Sequence, residues 1–394
     1  MSKKELTQEE IMKKEAAKAA KEEQNALDKE IAQTFDAEDI GVISKDMKNL
    51  LKTHVMGRDE MRFLVDTFYQ LQEKRIACQG QIRSIEQNAD ESPDQTHQIL
   101  SWYFDNMMTM EKSVLKLLDT ATDLNPNGVW MKQTMGIGPA LSAGFLSMLD
   151  ITKASSAGHF MSYAGLNDNK CPRIGHDKAA KIINSAVDAG GLTEETLCNV
   201  FQQYGRSWDR MAMKCYTKDK KTKEPKLYKD GYHLSKEEAI KALCIIPYNS
   251  QLKVICWKAG QQFLKLTTNP KSKYGKIMVE RKDYEVRRNE SGENAELAKR
   301  ILLEKSFNKS TDAYAALSQG LLPKAQIQAR SERYAVKMFV SHLWECMYIG
   351  EHHITDWHDL PEPYAMKYLG HVDYVSPEVP YSSVYPFYKD RPSL

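Results

Sequence analysis

A chain of 394 residues, 42 % hydrophobic and 27 % charged, is long enough to bury a sizeable core in two or three domains. Its formal net charge of +2 excludes a globally basic surface, so any polyanion site has to be local. Seven cysteines (Cys78, Cys171, Cys198, Cys215, Cys244, Cys256 and Cys346) form no C-x-x-C pair, which argues for reduced thiols in a cytoplasmic setting and against a disulfide scaffold or a Cys-type zinc site. No apolar run approaches the roughly 20 residues of a membrane span. Met1-Ser2-Lys3-Lys4-Glu5 is followed by charge rather than by an apolar stretch, so neither a signal peptide nor a membrane partner is expected.

Residues 1–58 read as a charged helical arm, with Lys, Glu, Ala and Gln and few large apolar side chains to bury. Residues 59–125 read as an antiparallel helical hairpin or stalk. Met61, Leu64, Val65, Phe68, Leu71 and Ile76 recur at helical intervals, Asn88-Ala89-Asp90-Glu91-Ser92-Pro93 breaks the pattern, and a second amphipathic run covers 99–119. The Met-rich and aromatic stripes of both runs are most simply core, although a stalk of this type also suits a homo-oligomer. Asn125-Pro126-Asn127-Gly128 marks the next joint.

Residues 126–166 hold the most informative pattern, Met135-Gly136-Ile137-Gly138-Pro139-Ala140-Leu141-Ser142-Ala143-Gly144 followed by Tyr163-Ala164-Gly165-Leu166. The first run predicts a hairpin between two short helices. Gly136 and Gly138 are suited to positive φ and close backbone approach, and Pro139 suits the first position of the second helix. Free amides there, at Gly136, Ile137, Gly138 and Ala140, would form a phosphate-sized anion site. A purely architectural turn accounts for the same residues equally well. Asp150 and Ser155-Ser156 are N-cap signals, and a helix from 157 is expected to end at Gly165.

Residues 167–243 read as a helical insertion with a mobile basic loop, in which Lys214, Lys218, Lys220, Lys221, Lys223, Lys226 and Lys229 lie close together. Residues 244–375 read as a C-terminal helical domain. Its first helix follows Pro247-Tyr248-Asn249 and is expected to present Leu252, Ile255, Cys256, Trp257, Ala259 and Phe263 as its apolar face. Lys271, Lys273, Lys276, Arg281 and Lys282, interleaved with Tyr274 and Tyr284, fit a phosphate-contacting track with stacking side chains. Glu280, Asp283 and Glu285 in the same stretch also fit an exposed, salt-bridged helix. A strong helix follows over 325–348, and 376–394 form a Pro/Tyr-rich tail. The fold class expected is all-α: a long helical hairpin, a helix-hairpin-helix domain and a C-terminal helical domain.

Metal and catalytic chemistry is weakly marked. His342, His352, His353, His358 and His371 gather near Glu345, Glu351, Asp356 and Asp359, but in no closed zinc spacing. His342, on an apolar helix, is expected to be a hydrogen-bonded core residue. No metal site and no catalytic residue is assigned.

Gly136-Ile137-Gly138-Pro139, the Ala/Gly-rich helix after it, Asp150-Ile151, Phe160 and Tyr163-Ala164-Gly165-Leu166 together resemble the C-terminal transposase domain of the DEDD-type insertion-sequence transposases. These are the bridge-RNA-guided group related to the pilin-gene DNA invertases. The resemblance covers residues 127–166 and extends more loosely upstream to Asp59. Downstream, Pro247-Tyr248-Asn249, Leu252-Lys253, Cys256-Trp257-Lys258, Tyr274-Gly275-Lys276 and Tyr368-Leu369-Gly370-His371 are similar to transposase-like proteins of phages and integrative elements.

The resemblance implies nucleic-acid handling. In the family a RuvC-like N-terminal domain binds Mg²⁺ through acidic residues; here Ile40-Gly41-Val42-Ile43 is the nearest apolar run and lacks the internal carboxylate. The family's nucleophilic serine has no counterpart in 167–173, where Cys171 has no activating neighbour in sequence. The expectation is therefore a DNA or structured-RNA backbone-binding protein of a phage or mobile element, lacking strand-transfer activity and needing no cofactor. An active recombinase, with Mg²⁺ and unrecognised or partner-supplied catalytic groups, is the first alternative. A structural or assembly protein using the stalk and tail is the second.

Overall fold

The computed structural model describes residues 50, 54–88, 98–167, 172–363, 366–367 and 373–391. Most of the charged arm, the turn at 89–93, Cys171 with its flanking stretch and Tyr368-Leu369-Gly370-His371 lie outside the described residues. Among those described, the chain forms fourteen α-helices and one two-stranded antiparallel sheet, an all-α fold. No described helix is long and apolar enough to cross a membrane. The chain divides into two compact units, one containing Phe63–Thr120 and the other Gly57–Arg62 with the residues from Ala121 onward.

The first unit is built from the parts of α1 (Arg58–Asn88) and α2 (Gln98–Asp123) that lie within Phe63–Thr120. Val65 and Leu118 are fully buried between them, and Phe68 nearly so. Burial of the Glu111 carboxylate is offset by Arg75, whose Nε donates to Oε2 at 2.5 Å, and by Gln72 Nε2 on Oε1 at 3.3 Å. Nearer the far end, Cys78 Sγ donates to the carbonyl of Leu100 at 3.3 Å. These pairings fix the antiparallel register that the helical periodicity predicts.

The second unit begins at a joint made by Asn125. Its Oδ1 accepts from the amides of Asn127 and Gly128 and so caps α3 (Pro126–Gln133), with Pro126 at the first helical position, where an N–H is not needed. After the hairpin come α4 (Pro139–Met148) and α5 (Ala157–Tyr163). Helix α5 ends as expected, with Gly165 at φ +65° and the Leu166 amide returning to the Met161 carbonyl.

The insertion folds around its own core. Helices α6 (His176–Gly190), α7 (Glu194–Gln203), α8 (Trp208–Met211) and α9 (Lys236–Cys244) bury Ile183, Leu197, Phe201 and Leu243 completely. Between α8 and α9 lie β1 (Leu227–Tyr228) and β2 (Gly231–Tyr232). The basic segment, read in the sequence as a loop within a helical insertion, contains this short β-hairpin. Helices α6 and α9 arise where no helix is marked in the sequence, because small Ala residues supply much of their buried face.

The C-terminal part comprises α10 (Ser250–Lys265), α11 (Lys273–Glu290), α12 (Ala295–Glu304), α13 (Asp312–Ser318) and α14 (Lys324–His352). Phe339 on α14 is the centre of an aromatic core, with the rings of Trp130, Phe145, Phe263 and Tyr274 at 5.3–6.0 Å. On α10, Trp257 is 59 % exposed, which corrects its expected place on the apolar face. The tail packs on this same unit. Trp130 Nε1 donates to the Val379 carbonyl at 2.9 Å and Tyr385 OH to Asn127 Oδ1 at 3.0 Å.

Candidate nucleic-acid interface

The Gly-Ile-Gly turn forms the predicted hairpin, and its backbone is turned into the protein. Gly136 has φ +86°, and a Cβ there would lie 3.0 Å from Leu266 Cδ1 and 3.1 Å from Gln262 Cβ, at the end of α10. Gly138 has φ −91° with open space where a Cβ would be, so only one of the two glycines has the positive φ expected. Ile137 and Ala140 are buried, as is α4 from Ala140 to its end.

An anion does sit at this turn, and the chain itself supplies it. Glu378 of the tail accepts from the Met135 amide through Oε1 at 2.6 Å and from the Lys273 amide, at the start of α11, through Oε2 at 2.8 Å. One carboxylate thus joins the hairpin, a helix N-terminus and the tail, using the amide and dipole chemistry that would hold a phosphate. The Lys273 ammonium donates to Ser376 Oγ at 2.5 Å, and burial, with Lys276 nearby, pushes its pKa down.

The cations of α11 divide in the same way. Arg281 donates to Glu285 Oε1 at 2.5 Å, and Arg330 of α14 to Oε2 at 2.9 Å. Burial raises the pKa of Glu285, but the hydrogen bonds and charges of Arg330 and Arg281 outweigh it and hold the group below its ordinary value. The Arg281 guanidinium also lies 4.7 Å from the Tyr284 ring centroid and 4.6 Å from that of Tyr334. Lys271, just before α11, and Lys276 and Lys282 on it are exposed, and the helix surface also carries exposed Glu280, Asp283 and Glu290.

Two motifs that carried the resemblance meet at one corner. The Asn249 amide donates to the Tyr163 carbonyl at 2.8 Å and Asn249 Nδ2 to Tyr163 OH at 3.0 Å. The Tyr248 ring lies so close over Gly165 that a Cβ there would come within 2.7 Å of it. Lys253 Nζ stands 4.4 Å from the same ring. The glycine of Tyr163-Ala164-Gly165-Leu166 therefore has a packing role as well as a helix-ending one.

The basic segment of the insertion forms a β-finger at residues 216–234. The Thr217 amide donates to the His233 carbonyl and the Lys226 amide to the Thr217 carbonyl, both at 2.8 Å, so three short extended segments brace one another. Its first turn is held by Asp219, whose Oδ1 accepts from the amides of Lys221 and Thr222 at 2.7 and 3.1 Å. Its second is a two-residue loop closed by the Tyr228↔Gly231 pair, with Gly231 at φ +114°. Lys220, Lys221, Lys223, Lys226 and Lys229 are all exposed.

Among the described residues only Lys218, at the finger's base, pairs with a carboxylate, Glu238 at 2.7 Å. Aromatic rings stand among these lysines. Tyr228 stacks on His233 at 4.4 Å with Lys226 Nζ 4.7 Å from its centroid, and Tyr232 is half-exposed. The lysine run was legible in the sequence, and Asp230-Gly231 between Leu227-Tyr228 and Tyr232 is the hairpin signal that would have placed it.

His342 is a hydrogen-bonded core residue, with Nδ1 2.8 Å from Tyr274 OH and Nε2 2.6 Å from the Val375 carbonyl. Among the described residues no three His, Cys, Asp or Glu side chains are placed to hold a metal ion. Comparison with protein-family models, with curated proteins and with solved structures finds no match to this chain.

Proposed function

We propose that this chain is a nucleic-acid backbone-binding protein, of the transposase-related kind that residues 127–166 resemble but without strand-transfer chemistry, and that the β-finger is its principal phosphate contact. One observation carries the reading. Residues 214–230 hold seven lysines against three carboxylates, a net +4 in a chain whose whole net charge is +2. Ammonium groups left without carboxylate partners release counterions when they meet phosphates, and rings beside them can stack on bases. Such contacts position a duplex or a structured RNA without reading its sequence, and they need no metal or cofactor.

The test is fluorescence anisotropy with labelled duplex DNA, a four-way junction and a structured RNA at two salt concentrations. Binding that weakens steeply with salt, and that is lost when Lys220, Lys221 and Lys223 become Ala, supports the reading. A folded sample that binds none of the three probes removes it, and Mg²⁺-dependent cleavage of a probe replaces it with an active recombinase.

A second reading rests on a separate surface. In the first unit, Phe63, Ile99 and Trp102 are 71 %, 78 % and 60 % exposed, and the latter two are one helical turn apart on α2. Apolar groups of this size on a two-helix hairpin suit self-association. Oligomerisation that is insensitive to salt, measured by sedimentation, tests it independently of nucleic acid.

A further inference from the structure

Near the C-terminal end of α14, a cavity of about 260 Å³ opens between that helix, the short turn Trp357–Asp359 and the tail. Glu345 lines it although the residue is only 3 % exposed. Its Oε2 accepts from Tyr381 OH at 2.7 Å and from Tyr374 OH at 3.0 Å, and among the described residues Oε1 takes no hydrogen bond. The other walls carry the rings of Trp357, Tyr374 and Tyr388, a cation, Arg391, a second carboxylate, Glu362, and His358, which stacks on Trp357 at 3.6 Å. The Arg391 guanidinium lies 4.4 Å from the Tyr374 centroid and 5.1 Å from that of Trp357.

These groups narrow the ligand class. A cation would meet Arg391, which already holds the aromatic faces, and an anion would meet Glu345. An aliphatic ligand would leave Glu345 Oε1 buried without a partner, which is costly. A neutral, flat ligand avoids both conflicts, packing against the aromatic walls while its edge donates to Glu345. The cavity is smaller than the roughly 300–1,000 Å³ usual for larger ligands, so a single ring system is the right size. Guanine presents two adjacent donors, N1–H and the exocyclic amine, and one carboxylate oxygen with two lone pairs can accept from both.

We propose that this cavity is a base-binding pocket that takes a single unstacked guanine, its ring against the aromatic walls and its donor edge on Glu345 Oε1. In a nucleic acid the ligand would be an unpaired or extruded nucleotide, since a base stacked in a duplex cannot reach Glu345 inside the cavity. The pocket is separate from the β-finger, and a free nucleoside carries no phosphate, so the two readings stand or fall apart.

The experiment is calorimetric titration of the full chain with guanosine, inosine, adenosine and cytidine at pH 8, above the raised pKa of about 7 at which Glu345 ionises. Guanosine should bind best, inosine more weakly because it lacks the exocyclic amine, and adenosine and cytidine at least tenfold more weakly. Glu345→Gln should lower guanosine affinity at least tenfold, and Trp357→Ala should weaken every nucleoside that binds, each with a helical circular-dichroism spectrum like that of the wild type. Neutralising Lys220, Lys221 and Lys223 should leave guanosine binding unchanged. No binding of any nucleoside, equal binding of adenosine and guanosine, or wild-type guanosine affinity in folded variants at both Glu345 and Trp357 would overturn the proposal.

Discussion

Residues 214–230 and residues 271–290 each carry seven Lys or Arg side chains, yet the fold uses them in opposite ways. On α11 the cations are drawn inward. Lys273 is spent on Ser376, Arg281 on buried Glu285 and Arg288 on Glu293, and the exposed remainder alternates with carboxylates. The β-finger is too thin to bury a charge, so among the described residues its lysines beyond Lys218 face solvent with no carboxylate at ion-pair distance, the nearest field being that of Asp219 on Lys223 and Lys226. A run of cations in a sequence gives the charge present, but the charge offered to a ligand is what remains after folding.

The largest expected effect sharpens that contrast. Replacing Lys220, Lys221, Lys223 and Lys229 by Ala should weaken duplex binding roughly 10²- to 10³-fold at low salt and lower the salt slope by about 3 to 4. Replacing Lys271, Lys276 and Lys282 by Ala should change affinity by less than about threefold, because neighbouring carboxylates already cancel that field. Anisotropy titrations over a salt series measure both, and equal losses in the two triplicate or quadruple variants would erase the distinction between the regions.

The all-α class, the stalk helices, the hairpin and the long α14 were legible because their apolar spacing and caps are strong and local. The Glu378 carboxylate was not, since it reaches the Met135 and Lys273 amides from more than a hundred residues away along the chain and nothing local marks it. The pairing of Lys273 with Ser376 was hidden for the same reason, whereas Arg281 pairs with Glu285 one turn along its own helix, as the salt-bridged reading of that stretch expects, and only the second partner of Glu285, the distant Arg330, left no local mark. The finger failed differently. Its lysines suggested a solvated segment, and the two-residue Asp230-Gly231 signal is short beside a strand of only two residues on either side.

Two inward-facing groups one turn apart on α14 give the next effect. Burial pushes Glu345 from its ordinary 4.5 up to about 7, so between those pH values the folded chain keeps a proton that the unfolded chain has released. Stability then falls by about 3 kcal/mol as pH rises through that window. Burial pushes His342 from 6.5 down to about 4, so there the unfolded chain binds the extra proton and stability rises with pH by about 3 kcal/mol. Of the groups packed on them, Tyr274, Tyr374, Tyr381 and Cys346 are all pushed up by burial, and His358, Glu362 and Arg391 line the cavity beside Glu345. Urea unfolding should be nearly flat from pH 4.5 to 6.5 in the wild type, falling with pH in His342→Gln and rising in Glu345→Gln. A steep wild-type slope would show that the two do not offset each other.

Glu378→Gln tests whether the hairpin's anion is structural. Removing one charged acceptor from two amides should cost about 2 kcal/mol of unfolding free energy, with duplex affinity unchanged. An increase in duplex affinity would mean that the carboxylate had been competing with phosphate, and the inward-turned region would join the finger as a binding surface.

The smallest effects separate the two glycines of the turn. Gly136→Ala forces a side chain into positive φ and against Leu266 and Gln262, and should cost about 1–2 kcal/mol. Gly138→Ala meets nothing within 4 Å at an ordinary φ, and should change stability by less than about 0.5 kcal/mol. Thermal or urea unfolding ranks them, and duplex titration of the same proteins gives the second reading. If the turn is architectural, Gly136→Ala loses stability while its residual folded population binds with wild-type affinity and salt slope. If Gly138→Ala, stable and folded, binds weakly, then its open side was where a phosphate approached, and the hairpin rather than the finger was the contact.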